Sequence, residues 1–95
     1  MSLDWKTFAL PERVELRAES GLHRFLLAHR DAAVRLSAAR LRRVDTRVVQ
    51  YLIAVARDWA DRGLGFVVSD IAAPQAAVLT LIGVTPELLP WQEAA

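Results

Sequence analysis

The residues best suited to chemistry stand at the predicted start of a long helix, where Asp45 is followed by Thr46. Unpaired backbone N–H groups and the positive end of the helix dipole favour negative charge at such a position. A phosphate on the Thr46 hydroxyl would be stabilised there, and it would add a charge of about −1.5 to −2 to the surface. The pair therefore fits two interpretations, a helix cap or a hydroxyl that faces a partner and is a candidate for phosphorylation.

Arginines dominate the charge around this pair. Asp45 is the single acid in this stretch, and it stands among five arginines: Arg35, Arg40, Arg42, Arg43 and Arg47. Such a group suits an acidic partner surface or a phosphate, and it equally suits a solvated loop. We predict a partner-binding site that comprises Asp45, Thr46, Arg47, Arg43, Arg42 and Gln50.

Other reactive side chains do not assemble into a recognisable site. His23 and His29 lack a third ligand at a metal-binding spacing, and the serines lack a paired histidine or a nucleophile elbow. The chain has no cysteine and no glycine-rich phosphate loop, which excludes a disulfide framework, a thiolate site and the common nucleotide-binding motifs. We therefore expect a protein that is not an enzyme and that uses no metal or cofactor.

Length and charge narrow the class further. The chain has 95 residues, a formal net charge of +1 and 54% hydrophobic residues. One core fits this length, and a near-neutral charge does not suggest a nucleic-acid binder. The N-terminus lacks the pattern of a secretory signal, and no apolar run reaches the roughly 20 residues that span a bilayer. We expect a single cytoplasmic domain over residues 1–95 without direct membrane contact.

The predicted elements that position Asp45 and Thr46 are alternating strands and helices. The predicted elements are a strand at 7–10, a helix at 17–29, a strand at 33–37, a helix at 45–62, a strand at 65–69 and a helix at 75–82. Asp45 is the predicted N-cap of the middle helix, and Gly63 is its stop. The core stripe of that helix is predicted to be Val49, Leu52, Ile53, Ala56, Trp59 and Ala60.

The first helix has one apolar face and one unusual residue. Gly21 lies inside the predicted helix, where it costs about 1 kcal/mol relative to alanine. The face predicted to be buried comprises Ala18, Leu22, Phe25, Leu26 and His29.

The last helix is apolar nearly all round between Gln75 and Ile82, after Pro74 at its predicted first position. Either the following chain, through a short turn after Thr85 and on to Trp91, covers its outer side, or that side is a contact surface. Covering is the favoured interpretation.

The alternation of elements predicts an α/β fold, with a small mixed sheet and helices packed mainly on one of its faces. The central strands of that sheet are predicted to contain Val34, Leu36, Phe66, Val67 and Val68.

The order and spacing of these motifs are similar to those of a known family. They are Val34-Arg35-Leu36, a seven-residue connection, Val44-Asp45-Thr46 opening a long helix, Gly65-Phe66-Val67-Val68 and the closing Leu79-Thr80-Leu81-Ile82-Gly83. Over roughly residues 10–89 the chain resembles the STAS domain family, which includes the anti-sigma factor antagonists.

The resemblance implies a bacterial regulatory module that binds a protein in signal transduction. In kinase-regulated members the hydroxyl residue after the aspartate is phosphorylated, and Thr46 matches that position. Docking through the start of the 46–62 helix onto an anti-sigma factor or a signalling kinase is the leading implication. The alternative is an accessory STAS subunit that binds the ATPase of an ABC lipid transporter, where the same position is also a threonine.

The sequence departs from the family's usual motif at four positions. Arg47 and Val48 replace a second hydroxyl residue and a glycine, Ser37 replaces an aspartate, and Arg40 replaces a small residue. These departures argue against regulation by a kinase and leave the predicted fold intact.

A remote alternative interprets residues 37–62 as two helices around a turn, which would present Arg47 and Gln50 to DNA. That turn lacks glycine, and Asp45 would lie beside the phosphates.

Overall fold

Strands and helices alternate along the chain in the computed structural model, which describes residues 4–17 and 20–94. The elements are β1 (Lys6–Ala9), α1 (Gly21–Ala28), β2 (Val34–Ser37), α2 (Thr46–Asp61), β3 (Phe66–Ile71), α3 (Ala73–Leu81) and β4 (Trp91–Glu93). The predicted α/β fold class is confirmed.

The four described strands form one sheet in the order β1-β2-β3-β4. Every neighbouring pair is parallel, and the central pair aligns Val34 with Phe66 and Leu36 with Val68. The sequence predicts a mixed sheet, so this detail is corrected. The physical reason is that each connection crosses back over the sheet through a helix, which returns the next strand in the same direction.

The fourth strand is the element that the sequence analysis misses. It predicts only a short turn that ends near Trp91, whereas a turn at 86–88 leads into β4. The Val68 N–H donates to the Pro90 carbonyl at 2.9 Å, and the Ala94 N–H donates to the Ile71 carbonyl at 2.8 Å. Three residues are too few to display a periodic pattern, so only these backbone bonds identify the strand.

The three helices among the described residues cover the same face of the sheet. Buried side chains from α1, α2 and α3 join Leu36 and Val68 in one apolar cluster. Val67 is also buried but lies outside that cluster, because alternate strand residues point to opposite faces. Arg35 shares the opposite face, since it is aligned with Val67. The predicted packing of helices mainly on one face is confirmed.

Helix α1 begins four residues later than the sequence predicts. Ser20 is its N-cap, and the Ser20 hydroxyl accepts from the His23 N–H at 3.2 Å. Gly21 is therefore the first helical residue rather than an interior one. Leu22 and Leu26 are buried as predicted, whereas the predicted core position Ala18 lies outside the described residues.

Helix α2 agrees closely with its predicted bounds, and Leu52, Ala56 and Trp59 are buried as expected. Its buried face differs from the predicted one at three positions: Val48, in the first turn, is buried, Ile53 is only partly buried and Ala60 is exposed.

The two-helix interpretation of residues 37–62 is wrong. Residue 37 ends β2 and 38–45 form a loop, so a single helix follows in place of a helix pair that could enter a DNA groove.

Gly63 ends α2 in a left-handed conformation, with φ of 72°. A β-carbon there would contact nothing within 4 Å, so the backbone angle alone determines the effect of a substitution. Gly63→Ala is expected to lower the free energy of unfolding by about 1–2 kcal/mol, the cost of a left-handed conformation in an L-residue. Urea titration measures this change. Gly63→Asn is the control and should lose less, since asparagine tolerates this conformation; equal losses would contradict the conformational explanation.

Candidate functional site

Asp45 and Thr46 stand at the carboxyl edge of the parallel sheet, where α2 begins. Asp45 has an extended backbone, and its carboxylate accepts from the Arg47 N–H at 2.7 Å. The Asp45 carbonyl accepts from Val49, which closes the first turn at 3.0 Å. Asp45 is therefore the cap, and the hydroxyl of Thr46 is not needed for that purpose. Thr46 is the first helical residue and is exposed.

The loop at 38–45 is held from both sides, which fixes the approach to this helix start. The Arg42 N–H donates to the Glu12 carbonyl at 2.9 Å, beside the end of β1. The Gln75 side-chain amide donates to the Arg42 carbonyl at 3.1 Å, from the first turn of α3. Val48 and Val49 are buried below the loop and anchor α2 in the core. The starts of α2 and α3 are thereby joined into one surface.

Four of the five predicted arginines flank this helix start in the sequence and are exposed. Arg47 is 85% exposed in its side chain and lies 3.8 Å from the Asp45 carboxylate. Within the described part of the chain, Arg40, Arg42 and Arg43 form no ion pair. Uncompensated arginines beside a helix N-terminus make this surface strongly attractive to anionic groups. We call Arg40, Arg42, Arg43 and Arg47 the basic rim.

Arg35 does not belong to the basic rim. It lies in the middle of β2 on the face without helices, where its guanidinium stands 5.7 Å from the centre of the Trp5 ring. The same ring lies so close to Gly65 that a β-carbon there would be 2.6 Å from it. Arg35 therefore helps to cover the second face of the sheet, and the period of two in a strand explains why it points away from the site.

Two further arginines approach the site from the segment after β1, and the sequence analysis does not identify them. Arg13 and Arg17 line an open cavity of about 240 Å³ together with Asp45 and Arg47. Glu15 also lines it, so the cavity has charges of both signs. The signal in the sequence is the alternation of charged and apolar residues at 12–17, but only the fold brings that segment to the start of α2.

Asp70 ends the regular part of β3 with a φ of 60°, in the left-handed region that aspartate tolerates better than most residues. Its carboxylate accepts from the Ser37 hydroxyl at 3.2 Å and from the Ser69 hydroxyl at 3.0 Å. An aspartate at position 37, the family's usual residue, would set two carboxylates against each other. Ser37 is thus matched to Asp70, and the departure from the family's motif has a structural reason.

The outer side of α3 is exposed, so the favoured interpretation that the C-terminal segment covers it is wrong. Leu81 is 86% exposed, Ile82 46% and Val78 39%. Leu89 is instead buried in the core, and Trp91 enters β4. The helix also starts at Ala73, which makes Pro74 its second rather than its first residue.

Both histidines contact aromatic side chains on the helices. The His23 ring lies 3.4 Å from the Tyr51 hydroxyl, between α1 and α2. Burial raises the pKa of Tyr51 above its ordinary value, so the hydroxyl stays protonated near neutral pH. His29 packs against the Phe25 ring with 4.6 Å between ring centres. Residues 4–17 and 20–94 contain no group of three or more side chains that could hold a metal ion.

No helix within the described ranges is both long enough and apolar enough to cross a bilayer.

Comparison with known proteins agrees with the geometry. A family model described as "Mlab, STAS domain" matches residues 9–90, which is most of the chain. No curated protein and no solved structure gives a significant match. The chain therefore belongs to the STAS domain family, whose domains are regulatory, protein-interacting and generally non-catalytic.

Proposed function

We propose that this chain is a regulatory module that docks through the start of α2 onto a signalling protein, either an anti-sigma factor or a signalling kinase. The observation that carries the proposal is the exposed Thr46 hydroxyl at a helix N-terminus, near Arg42 and Arg43, which form no ion pair with the described residues. The proposed contact residues are Asp45, Thr46, Arg47, Arg43, Arg42 and Gln50, and all of them are exposed. A partner with an acidic surface fits this charge.

Thr46 is the proposed control point of the contact. Because Asp45 already caps α2, the Thr46 hydroxyl is not needed to cap the helix. Phosphorylation would place about −1.5 to −2 charges at the positive end of the helix and beside the basic rim. The modified chain would stay folded while its docking surface changed sign locally. Such a modification switches binding without unfolding the module.

An accessory subunit that binds the ATPase of an ABC lipid transporter is the second candidate. The description of the matching family begins with the name Mlab, which favours this candidate. Val48 favours it as well, because it is buried where kinase-regulated relatives usually have a glycine. In this case the same surface around Thr46 would be a permanent contact and would not be phosphorylated.

Thr46→Glu tests the docking surface directly. The added carboxylate should leave the stability unchanged or slightly higher, since an acid in the first helical turn is favourable. Affinity for the signalling protein or ATPase encoded beside this chain should change by about tenfold or more, equivalent to about 1.4 kcal/mol. Titration calorimetry and thermal unfolding measure the two effects. Thr46→Ala should alter stability little, because Asp45 is the cap.

Thr7→Glu is the matched control, since Thr7 is an exposed threonine in β1, aligned with Arg35 on the face without helices. It adds the same charge and should leave the affinity unchanged. If Thr46→Glu and Thr7→Glu both bind the verified partner as the wild type does, the proposed docking surface is wrong. Phosphate found on Thr46 in cells would favour the signalling candidate over the transporter candidate.

A further inference from the structure

We infer that the outer face of α3 binds an amphipathic helix of the partner protein, with the acidic end of that helix on the basic rim. This inference rests on the proposed docking through Thr46 and extends it along a second element. The α3 outer face comprises Ala77, Val78, Leu81 and Ile82.

The α3 outer face is a continuous apolar stripe rather than a scatter of single side chains. Residues 77, 78, 81 and 82 follow the spacing that places side chains on one side of a helix. Leu81 is the most exposed large apolar side chain among the described residues, at 86%. The opposite side of the helix, with Ala76 and Leu79, is already buried in the core. An apolar stripe left in water next to a polar region is typical of an interaction site.

The N-terminal end of α3 adjoins the loop that carries most of the basic rim. The Gln75 side chain, in the first turn of α3, donates to the Arg42 carbonyl at 3.1 Å. Arg43 and Gln75 also border the same small apolar cavity, of about 30 Å³. Arg42 and Arg43 therefore lie near the N-terminal end of α3, and Leu81 lies at its C-terminal end. A partner that covers both must be acidic at one end and apolar along the rest.

A helix suits this surface better than an extended strand. The backbone groups of α3 are engaged within the helix, so the stripe offers no edge on which a strand could form hydrogen bonds. The nine residues of α3 extend over roughly 13 Å, which matches two to three turns of a second helix packed along it. The α3 sequence carries no charged residue, so the ionic contacts of the partner are confined to the basic rim.

A second copy of this chain fits less well. A closed symmetric dimer would use the same patch on both subunits, so two basic rims would enter one interface. Asp45 is already engaged by Arg47 and cannot balance them. Like charges across an interface are unfavourable, whereas a partner with carboxylates neutralises the rim.

Photo-crosslinking in the full-length chain tests the inference. p-Benzoylphenylalanine replaces Leu81, Thr46 or, as a control, Leu27 on α1, which is 54% exposed. We expect positions 81 and 46 to attach to one protein and position 27 to remain free of it. The peptide attached at 81 should have apolar residues at helical spacing and carboxylates toward the end nearest Thr46.

A synthetic peptide of the attached segment then provides the quantitative test. Leu81→Ser should weaken its binding by about tenfold or more, as expected for an apolar residue central to an interface, and Leu27→Ser should leave binding unchanged. Exchange of the carboxylates of the peptide for amides should weaken binding to the wild type and reduce its salt dependence.

The outcomes separate the two proposals. Attachment at 46 without attachment at 81, or equal binding by Leu81→Ser, overturns the helix site and leaves docking through Thr46 standing. Attachment at 81 to a second copy of the chain, or Leu81-dependent sedimentation with phosphatidylglycerol vesicles, also overturns it. If neither position 81 nor position 46 attaches to a partner, both proposals are contradicted.

Discussion

Replacement of Trp59 by alanine is expected to remove about 3–5 kcal/mol from the free energy of unfolding, the range for large aromatic residues in cores. Trp59 is 3% exposed and lies on α2 against the Phe66 ring, with 6.1 Å between ring centres. Its indole N–H donates to the Ala32 carbonyl at 2.8 Å. The substitution therefore leaves a cavity and an unpaired carbonyl. Urea titration should show a lower midpoint with an unchanged slope.

Trp59→Phe and Arg57→Ala separate the contributions. Phenylalanine keeps most of the apolar volume but loses the hydrogen bond to Ala32, so it should cost less than alanine. Arg57 is exposed on the same helix and forms no ion pair with the described residues, so its loss should change stability by no more than about 0.5 kcal/mol. A loss for Trp59→Ala as small as that for Arg57→Ala would mean that the end of α2 does not contribute to the core.

The hydrogen bond from Trp59 to Ala32 also joins the end of α2 to the turn after α1. Arg62 lies over the Trp59 ring at 4.4 Å, and its guanidinium donates to the Arg30 carbonyl and to the Asp58 carboxylate. These contacts fix the C-terminal end of α2, while Asp45 and the buried valines fix its start. Helix α2 is therefore anchored at both ends, so a charge added at Thr46 is expected to leave the helix intact.

Local signals predict the central part of this fold well. Helix α2 repeats its apolar period over four turns between Asp45 and Gly63, so its bounds follow from the sequence alone. Strand β3 opens with a continuous apolar run, Phe66-Val67-Val68, as expected for a strand buried on both faces. Strand β4 and the start of α1 depend on one or two hydrogen bonds each. The periodicity of apolar residues does not reveal such bonds, so the sequence pattern does not predict these two features.

The candidate site was only partly predictable for the same reason. Asp45 and Thr46 follow from cap chemistry, and the neighbouring arginines follow from proximity in sequence. Proximity in sequence wrongly groups Arg35 with them, because strand alternation places it on the opposite face. Arg13 and Arg17 reach the site only through the path of the chain after β1. The exposure of α3 likewise depends on where the last strand inserts, which the sequence does not specify.

Truncation of Leu52 to alanine is expected to lower the free energy of unfolding by about 2–5 kcal/mol. Leu52 is 5% exposed on the sheet-facing side of α2. It borders the small apolar cavity that Leu10, Val68 and Leu79 also line, so its side chain joins α2 to β3 and α3. Loss of its methyl groups would enlarge that cavity, and surrounding side chains collapse only partly into such a space.

The expected loss is a large part of the total, since a domain of this length is stable by only about 5–14 kcal/mol. Denaturant titration of Leu52→Ala should show it, together with a melting temperature lowered by about 4–8 °C for each kcal/mol. Gln50→Ala is the control on the exposed side of the same helix, and it should stay within about 0.5 kcal/mol of the wild type. A Leu52→Ala loss below about 0.5 kcal/mol would mean that the apolar stripe of α2 faces water, which would remove the packing that orients Thr46 and the basic rim.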